Sequence, residues 1–593
     1  YRLYAASNLG SFAGLIAYPL LVEPTLPLGS QSWLWTAGYA MLFALVAGCA
    51  LILPRAVSAQ LQPEQSSGKG GSFIYWTVLA AIPSGLMLST TLYLTTDIVA
   101  MPLLWVVPLG LYLLSFSLGF SDNQRLVARI GLVTPLLLVL GGVTAFTDGG
   151  TDYQLYYAAL ALILLFLVSV SLHGQLYRRR PDASHLTRFY LAMSVGGVIG
   201  GLFCALVAPL IFNWGYEHPI LLLAAALALP HYSSLEWISD FWEEHGSRLS
   251  LFLPTLALLI ALFAVGALFG AGLPEGERTV PAALIVIICV LCRGQRFPFM
   301  FSLAALMLTM GGAEKLERSA SPGVMTRSYF GIYMVWSDSN KLWRLSHGTT
   351  IHGVQDRNPG RERQPLSYYA PQSGIGIAMK AAPALFGQQA RIGVVGLGSG
   401  TLACYSQPGQ HWRFYEIDPA MEVIARDPKR FTFLSTCLPK ADIAIGDARL
   451  VLAKEAAGQA DMLAIDAFSS DAVPMHLLTR EAFATYGHYL KPGGLLIVHV
   501  SNRFLNLEPV VAGNLGSDWH GAVRAYWADD DALRQHFTHS TWIALSRDQA
   551  VLDRLIATDD QVSWTKLTAK PGFSPWTDDF ASILPVLKPF WRR

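Results

Sequence analysis

A succession of apolar runs, each separated from the next by a short polar loop, occupies the chain up to about Gly312. Helices in a bilayer must satisfy their own backbone hydrogen bonds over a span of this kind. Spanning runs cover 9–22, 33–53, 73–93, 102–120, 126–146, 153–177, 189–212 and 249–269, and shorter ones cover 219–229, 280–292 and 297–310. The sequence therefore predicts a polytopic membrane domain of about 8–11 helices over residues 1–313.

The loops between these runs alternate in charge. Basic loops carry Arg55, Lys69, Arg125, Arg129 and Arg178 to Arg180, and acidic loops carry Asp97, Asp148 and Asp152. Because Lys and Arg are enriched in cytoplasmic loops, the basic loops are predicted to be cytoplasmic. If all the runs crossed, the carboxy-terminal part would lie outside the cell, where a nucleotide substrate is scarce. We therefore expect that at least one short run does not cross.

Composition limits the rest of the chain. With 593 residues, of which 53% are hydrophobic and 14% charged, the chain combines a membrane part with a soluble part. The net charge of +1 gives no basic surface for nucleic acid. Six scattered cysteines, including Cys289 and Cys292 within one apolar run, predict neither a disulfide framework nor a metal site. Since the chain begins at Tyr1, its amino-terminal end is expected to be missing.

A soluble region begins after Glu314, where polar and apolar residues mix. Segments 327–336 and 341–355 are rich in aromatic and β-branched residues and predict strands or hairpins, within a small β-rich domain over 325–385. From Ala390 the pattern is strand, Gly-rich turn, helix, strand, which is typical of a parallel α/β sheet. The predicted fold is a membrane α-helical bundle plus a Rossmann-like α/β domain over 386–593.

Carboxylates follow three successive predicted strands of this domain. The strand 391–395 leads into a Gly-rich loop, and Glu416, Asp447 and Asp466 follow the strands 412–417, 442–445 and 461–465. Since ligands bind at the carboxyl ends of such strands, these groups are expected to converge on one crevice. The predicted binding residues are Gly396, Gly398, Ser399, Gly400, Glu416, Ile417, Asp447, Ala448 and Asp466.

The acidity of this crevice restricts its ligand. A phosphate ligand would require a P-loop lysine or a loop free of nearby acids. A cationic sulfonium nucleoside without phosphates fits better. Glu416 would accept from the ribose hydroxyls and Asp447 from the adenine amino group. We expect the sulfonium compound itself to be the substrate, with no other cofactor and no metal.

Several long strings resemble the spermidine synthases, and more closely the bacterial proteins in which a spermidine synthase-like domain is fused to a multi-helix membrane region. The strings are SNLGSFAGLIAYP (7–19), PLLWVVPLGLYLLSF (102–116), HLTRFYLAMSVGG (185–197), HGTTIHGVQ (347–355), YEIDP (415–419), GDAR (446–449), DAFSSDAVPMHLLTREAF (466–483), HVSNRFLNLEPVV (499–511) and WTDDFASIL (576–584). The resemblance implies a multi-pass protein of the bacterial inner membrane with its soluble domain in the cytoplasm.

The resemblance also implies roles for individual residues. Gln355 would contact the nucleoside or its tail, and Asp466 would be the catalytic acid. Asp471, Tyr368 and Tyr369 complete the expected catalytic set. In aminopropyl transfer a carboxylate must take a proton from the attacking amine, because an alkylammonium with a pKa of about 10 is almost entirely protonated at neutral pH.

Two departures from the family pattern weaken the prediction of a polyamine acceptor. Ser399 stands where the family has an acid in the Gly-rich loop, and 367–370 reads Ser-Tyr-Tyr-Ala where the family has a Tyr-His-Glu triplet. We therefore slightly favour a lyase, in which the carboxylate of S-adenosylmethionine attacks its own γ-carbon to give 5'-methylthioadenosine and homoserine lactone. Aminopropyl transfer, methyl transfer and a non-enzymatic nucleoside sensor or transporter remain alternatives.

Further residues have both a functional and a local interpretation. His347, His352, His476 and His499 could line the pocket or satisfy local hydrogen bonds. The string Trp576 to Asp579 could close the pocket or cap a helix. The expected partners are the lipid bilayer, the sulfonium nucleoside and, for a transferase, a polyamine. The oligomeric state is open, with a homodimer as one option.

Overall fold

The computed structural model describes residues 2–52, 72–98, 103–146, 153–182, 185–229, 236–271, 278–467, 474–558 and 564–588. The chain divides into two compact units, one made of Tyr1–Leu20 and Ala37–Pro322, the other of Leu21–Thr36 and Gly323–Arg593. The main division, after Pro322, falls between the predicted domain limits of 313 and 325.

The first unit is helical. Its helices are Arg2–Ala17, Phe73–Tyr93, Val106–Gly119, Gln124–Thr144, Gln154–Arg178, Leu186–Leu202, Ala208–Ile211, Glu217–Ala228, Glu236–Ala271, Thr279–Leu291, Arg296–Met307 and Ala313–Ala320, and Leu28–Ile52 begins in the second unit. Tyr18–Val22, Leu94–Ile98, Phe203–Val207 and Leu308–Gly312 continue such helices as π-helical turns.

Among the described residues, seven helices are long and apolar enough to cross a membrane. They are Leu28–Ile52, Phe73–Ile98, Gln124–Thr144, Gln154–Arg178, Leu186–Ile211, Arg248–Ala267 and Arg296–Ala320. The run at 297–310, which looked short in the sequence, belongs to the last of these. The run at 102–120 shortens to Val106–Gly119 because Leu103 takes a left-handed backbone conformation, with a φ of 61°.

Glycines allow the helices Phe73–Tyr93 and Leu186–Leu202 to pack in close contact. A Cβ on Gly196 would lie 2.4 Å from the carbonyl oxygen of Thr77, and one on Gly200 would lie 2.3 Å from that of Ala81. Helices in lipid associate largely through such backbone approach, because hydrophobic burial gives no driving force between them. The close approach occurs at Gly196 and Gly200, whereas a Cβ on Gly197 or Gly201 would have no heavy atom within 4 Å.

The second unit begins with a small antiparallel sheet. Its strands are β1 (Met325–Arg327), β2 (Ile332–Ser337), β3 (Leu342–His347) and β4 (Thr350–Asp356), and they pair in chain order. The β3–β4 hairpin brings His347 opposite Thr350, with a register shift between Leu345 and Ser346. The sheet thus occupies the first part of the predicted β-rich segment, and a helix, Gly374–Phe386, occupies its end.

An eight-stranded sheet forms the rest of the unit. Its strands are β5 (Arg391–Val395), β6 (His411–Glu416), β7 (Asp442–Ile445), β8 (Ala460–Ile465), β9 (Leu490–His499), β10 (His520–Tyr526), β11 (Ser540–Ser546) and β12 (Thr565–Lys566), in the order β12-β10-β11-β9-β8-β5-β6-β7. Neighbours from β7 to β9 pair in parallel, and β11 is antiparallel to β9 and β10. This is a Rossmann-like arrangement, with a topological switch point at β5, between β6 and β8.

The helices of the second unit alternate with these strands. They are Gly374–Phe386, Pro419–Arg426, Phe433–Cys437, Ala448–Leu452, Arg480–Tyr489, Glu508–Asn514, Asp530–Arg534 and Gln549–Ala557. The helix predicted after the Gly-rich loop is only a short 3-10 turn, Thr401–Tyr405. Pro408 accounts for the early end, because proline disfavours helical geometry in the residue before it.

Cys404 and Cys437 form a disulfide. The bridge links the 3-10 turn behind the Gly-rich loop to the helix Phe433–Cys437. The sequence did not predict this pair, because 33 residues separate the two positions and only the course of the chain around β6 brings them together.

Candidate active site

A cavity of about 280 Å³ opens at the carboxyl ends of β5, β6, β7 and β8. Its lining residues are Phe330, Tyr333, His347, His352, Tyr368, Tyr369, Val395, Gly396, Leu397, Gly398, Tyr415, Glu416, Ile417, Met421, Asp447, Ala448, Asp466, Ala467, Pro474, His476 and Leu477. The three predicted carboxylates, Glu416, Asp447 and Asp466, are all among them. The cavity therefore lies at the switch point of the sheet, where ligands of this fold class bind.

The Gly-rich loop forms the floor of the cavity. Gly396 has a φ of 97°, and a Cβ there would lie 2.3 Å from the carbonyl oxygen of Asp466. Gly398, with a φ of 52°, approaches the carbonyl oxygen of His352. Only glycine combines this backbone conformation with so close an approach. The two glycines thus allow the ends of β5 and β8 to approach closely, with no Cβ at either position.

Glu416 is held in place by backbone donors. The amides of Leu397 and Asp418 donate to its two carboxylate oxygens at 2.9 and 3.0 Å. Burial raises the pKa of Glu416, and these backbone donors oppose the rise. The carboxylate keeps lone pairs for two more donors, as a ribose diol would provide.

Asp447 is anchored at one oxygen and contacts a histidine with the other. Its Oδ1 accepts from the amide of Leu450, and its Oδ2 lies 3.0 Å from Nε2 of His476. Ile417 and Ala448 line the cavity from neighbouring strand ends and give it apolar surfaces. Such surfaces beside a single acceptor suit a purine with an exocyclic amine.

Asp466 makes two side-chain contacts. Its Oδ1 lies 2.8 Å from Nδ1 of His499, and the hydroxyl of Tyr369 donates to its Oδ2 at 2.5 Å. The hydroxyl of Tyr368 lies 3.0 Å from that of Tyr369. Burial, followed by the charge of Asp466, raises the pKa of both tyrosines, so both remain neutral hydroxyl groups.

On the side of the small sheet, the cavity wall consists of histidine and aromatic side chains. His347 and His352 lie with ring centroids 5.8 Å apart, and Phe330 and Tyr333 stand beside them. Burial lowers the pKa of His347 to about 4 and that of His352 to about 3. Both imidazoles are therefore uncharged at neutral pH.

Some predicted residues lie away from the cavity. Gln355 is fully buried, and its amide contacts Thr432 and the carbonyl oxygen of Glu362. Ser399 is buried against Gly353 and contacts Thr401, and neither Ser399 nor Gly400 lines the cavity. Asp471 lies outside the described residues. Gln355 and Ser399 thus join the small sheet and nearby loops to the large domain.

The segment around Trp576 braces the side of the cavity that carries Ala448 and His476. Arg449 makes two hydrogen bonds to Asp578, which also accepts from Thr479 at 2.9 Å. Arg449 also donates to the carbonyl oxygen of His476, at 3.0 Å. Since Arg449 directly follows Ala448 in the chain, the segment supports the residues that line the cavity without lining it themselves.

Sequence reasoning identified the three carboxylates but not their side-chain partners. The pairs Asp466–His499 and Asp447–His476 depend on strand order and on the path of the following loops. The sequence did name His476 and His499 as candidates for the pocket, but it did not pair them with particular carboxylates. Among the described residues, no group of three or more His, Cys, Asp or Glu side chains is arranged to hold a metal ion.

No protein-family model and no curated protein matches this chain. Similar solved structures include a probable spermidine synthase from Corynebacterium glutamicum ATCC 13032, with 16% identity, a TM-score of 0.33, and coverage of 44% of this chain and 97% of that one. The spermidine synthase from Thermotoga maritima has 12% identity, a TM-score of 0.29, and coverage of 42% and 79%. The O-methyltransferase TomG from Streptomyces achromogenes has 16% identity, a TM-score of 0.22, and coverage of 31% and 82%.

These relatives are spermidine synthases and a methyltransferase. At such identities and TM-scores they give no information about the activity of this chain. The order and direction of the strands define the fold independently of them. The chemistry has to be inferred from the contacts within the cavity.

Proposed function

We propose that the second unit binds a sulfonium nucleoside, either S-adenosylmethionine or its decarboxylated form, and cleaves it on the alkyl side to release 5'-methylthioadenosine. The supporting observation is the convergence of Glu416, Asp447 and Asp466 on one cavity whose described lining contains neither Lys nor Arg. A phosphate-bearing ligand would be repelled there, whereas a positively charged sulfonium would be attracted.

Each carboxylate has a distinct place in this proposal. Glu416 accepts from the ribose hydroxyls, and Asp447 accepts from the adenine amine in place of its contact with His476. Asp466 faces the sulfonium and its alkyl tail. A methyl transfer would not generally require a buried carboxylate at this point, and therefore alkyl-side chemistry is favoured.

In the lyase form, the substrate carboxylate attacks its own γ-carbon. A carbon–oxygen bond forms, the carbon–sulfur bond breaks, and the electron pair stays on sulfur as a neutral thioether. This ring closure requires positioning and the exclusion of water. The scarcity of acids around the tail supports this form. Ser399 and Ala370 stand where a second acid would attract a polyammonium acceptor, Ser399 does not line the cavity, and His347 and His352 are neutral.

Transfer to an amine is a second candidate, and one contact favours it. An attacking amine must lose a proton, and Asp466, supported by His499 and Tyr369, is a suitable acceptor. Intramolecular attack by a carboxylate needs no such acceptor. The tail region thus favours the lyase, and the hydrogen bonds of Asp466 favour transfer.

The products test the proposal. The full chain in detergent or nanodiscs is incubated with each sulfonium, with and without putrescine, and the products are identified by mass spectrometry. Methylthioadenosine from S-adenosylmethionine alone indicates the lyase, and methylthioadenosine that requires amine indicates the transferase. S-adenosylhomocysteine would instead indicate methyl transfer. If Asp466→Asn has the same product profile as the wild type, the proposed role of Asp466 is wrong.

A further inference from the structure

His499 is the least expected member of the network around Asp466. It ends β9, the parallel neighbour of β8, and the register pairs Ile465 with Val498. Asp466 directly follows Ile465, and His499 directly follows Val498. The strand pairing itself therefore places Asp466 beside His499. Their side chains are 4% and 9% exposed, which removes most competing water.

Two aromatic rings stack on the imidazole ring. Tyr368 stacks on it with centroids 5.0 Å apart and planes 9° apart, and Trp542 stacks on it at 4.5 Å and 22°. Aromatic stacking restricts rotation of the ring. Nδ1 of His499 is consequently held toward Oδ1 of Asp466, where an ionised carboxylate can only accept a proton.

His499 does not line the cavity, whereas Asp466 does. We propose that His499 is a positioning residue that holds the Asp466 carboxylate oriented toward the cavity, so that Asp466 can take the proton of an attacking primary amine. This inference rests on the proposed function, and specifically on its transferase form. In the step, a carbon–nitrogen bond forms, the carbon–sulfur bond breaks, its electron pair goes to sulfur, and the amine proton goes to Asp466.

The titratable groups around His499 come from three other elements. Asp466 follows β8, His352 lies on β4, and Tyr368 and Tyr369 lie on the loop before the helix Gly374–Phe386. His352 and both tyrosines are neutral at pH 7, since burial lowers the pKa of His352 and raises those of the tyrosines. The Asp466–His499 contact is therefore surrounded by neutral groups.

Two substitutions of His499 distinguish the effect of its hydrogen-bond donor from the effect of its ring size. His499→Asn retains a donor where Nδ1 lies, whereas His499→Phe keeps an aromatic ring but loses the donor. We expect His499→Phe to lower kcat for methylthioadenosine release by about 10²-fold, with KM for the sulfonium changed by less than about threefold. His499→Asn should recover at least about tenfold of that loss. His488→Asn, at an exposed helix position, is the matched control.

The pH profile adds a measurement that a purely structural role would not change. A carboxylate that has lost a donor is protonated more readily, so the acid limb of kcat should move to higher pH in His499→Phe and return toward the wild-type position in His499→Asn. Circular dichroism and methylthioadenosine affinity confirm that each variant is folded.

Two results distinguish failure of this inference from failure of the proposed function. If methylthioadenosine forms without amine, and His499→Phe matches the wild type in rate and acid limb, the proposed function stands and the inference is wrong. If wild-type protein releases no methylthioadenosine from either sulfonium, with or without a primary amine, both are wrong. An Asn variant no better than the Phe variant also overturns the positioning role.

Discussion

At the residue scale, the proposed ribose contact of Glu416 has the clearest structural support. Both of its oxygens already accept from backbone amides, which fix the carboxylate before a ligand arrives. A hydrogen bond to a charged group contributes about 1.5–3 kcal/mol. We therefore expect Glu416→Gln to weaken methylthioadenosine binding by about 10–100-fold, as measured by calorimetry on the full chain.

Glu422→Gln is the control for this change. Glu422 lies on the next helix and pairs with Arg426 one turn away, which contributes little to stability. Binding should be unchanged in this variant. Since burial raises the pKa of Glu416, wild-type affinity should fall on acidification at a higher pH than an exposed glutamate would give. Equal affinity of the wild type and Glu416→Gln would exclude the ribose role.

His347 and His352 link the cavity to stability. Burial lowers the pKa of His347 from 6.5 to about 4 and that of His352 from 6.5 to about 3, so the unfolded chain binds more protons than the folded one as pH falls below 6.5. Their contribution is fully present above pH 6.5 and is lost as pH decreases toward the folded values. Thermal unfolding should therefore shift to lower temperature between pH 7 and pH 5.

The double variant His347→Asn/His352→Asn tests the source of that shift. Its unfolding temperature should depend less on pH over the same range than that of the wild type. An identical pH dependence in both proteins would assign the effect to other groups.

The sequence predicted these residues unequally. Glu416, Asp447 and Asp466 were identifiable because each directly follows a short buried strand, and the edge where strands end is fixed by the fold class. The contact between Asp466 and His499 was not, because it depends on β9 lying beside β8 and on a ring stacked from two other segments. Gln355 belongs to a motif that predicted a contact with the ligand, but its side-chain amide is hydrogen-bonded to Thr432 instead.

At the scale of elements, the turn after β5 is the most constrained part of the site. A side chain on Gly396 would contact the carbonyl oxygen of Asp466, and its φ of 97° is itself unfavourable for alanine. Gly396→Ala should displace the end of β8 and weaken methylthioadenosine binding by at least about tenfold, with a lower unfolding temperature.

Gly572→Ala is the matched control. Gly572 has a φ of 74°, but no heavy atom lies within 4 Å of a Cβ built there. That variant should incur only the backbone cost of about 1 kcal/mol and bind normally. If both variants bind equally well, the close approach at Gly396 has no role in binding.

Strands were easier to predict than the segments between them. The bounds of β5 and β7 agree with the sequence prediction, and those of β6 and β8 differ by one residue at the ends. Buried strands have a local signal, namely a short run of β-branched and aliphatic residues. The 3-10 turn at Thr401 and the disulfide behind it have no such signal, since one is set by a downstream proline and the other by tertiary contact.

At the scale of the whole molecule, two features make opposite predictions about the side on which the second unit lies. Loop charges and the need for a nucleotide substrate predict the cytoplasm. The Cys404–Cys437 disulfide is typical of an oxidising compartment, because cytosolic thiols are kept reduced.

We expect the cytoplasmic side, because a sulfonium nucleoside is available there. A green fluorescent protein fused after Arg593 should be fluorescent in cells, and an alkaline phosphatase fused at the same point should be inactive. The reducing cytoplasm should keep the bridge seen in the structure open in such cells, so Cys404 and Cys437 should react with maleimide after denaturation without reductant. Active phosphatase together with unreactive cysteines would place the unit outside and contradict the proposed substrate.

The stacking of His499 on Trp542 has a practical consequence. An imidazole stacked on an indole alters its emission, so the intrinsic fluorescence of Trp542 should change when a ligand displaces the His499 ring. The difference between spectra of the wild type and Trp542→Phe isolates that signal from the other 15 tryptophans, since the chain has 16 in all. The protein thus carries its own optical probe of ring movement beside the cavity, which can be followed in a stopped-flow instrument without a dye.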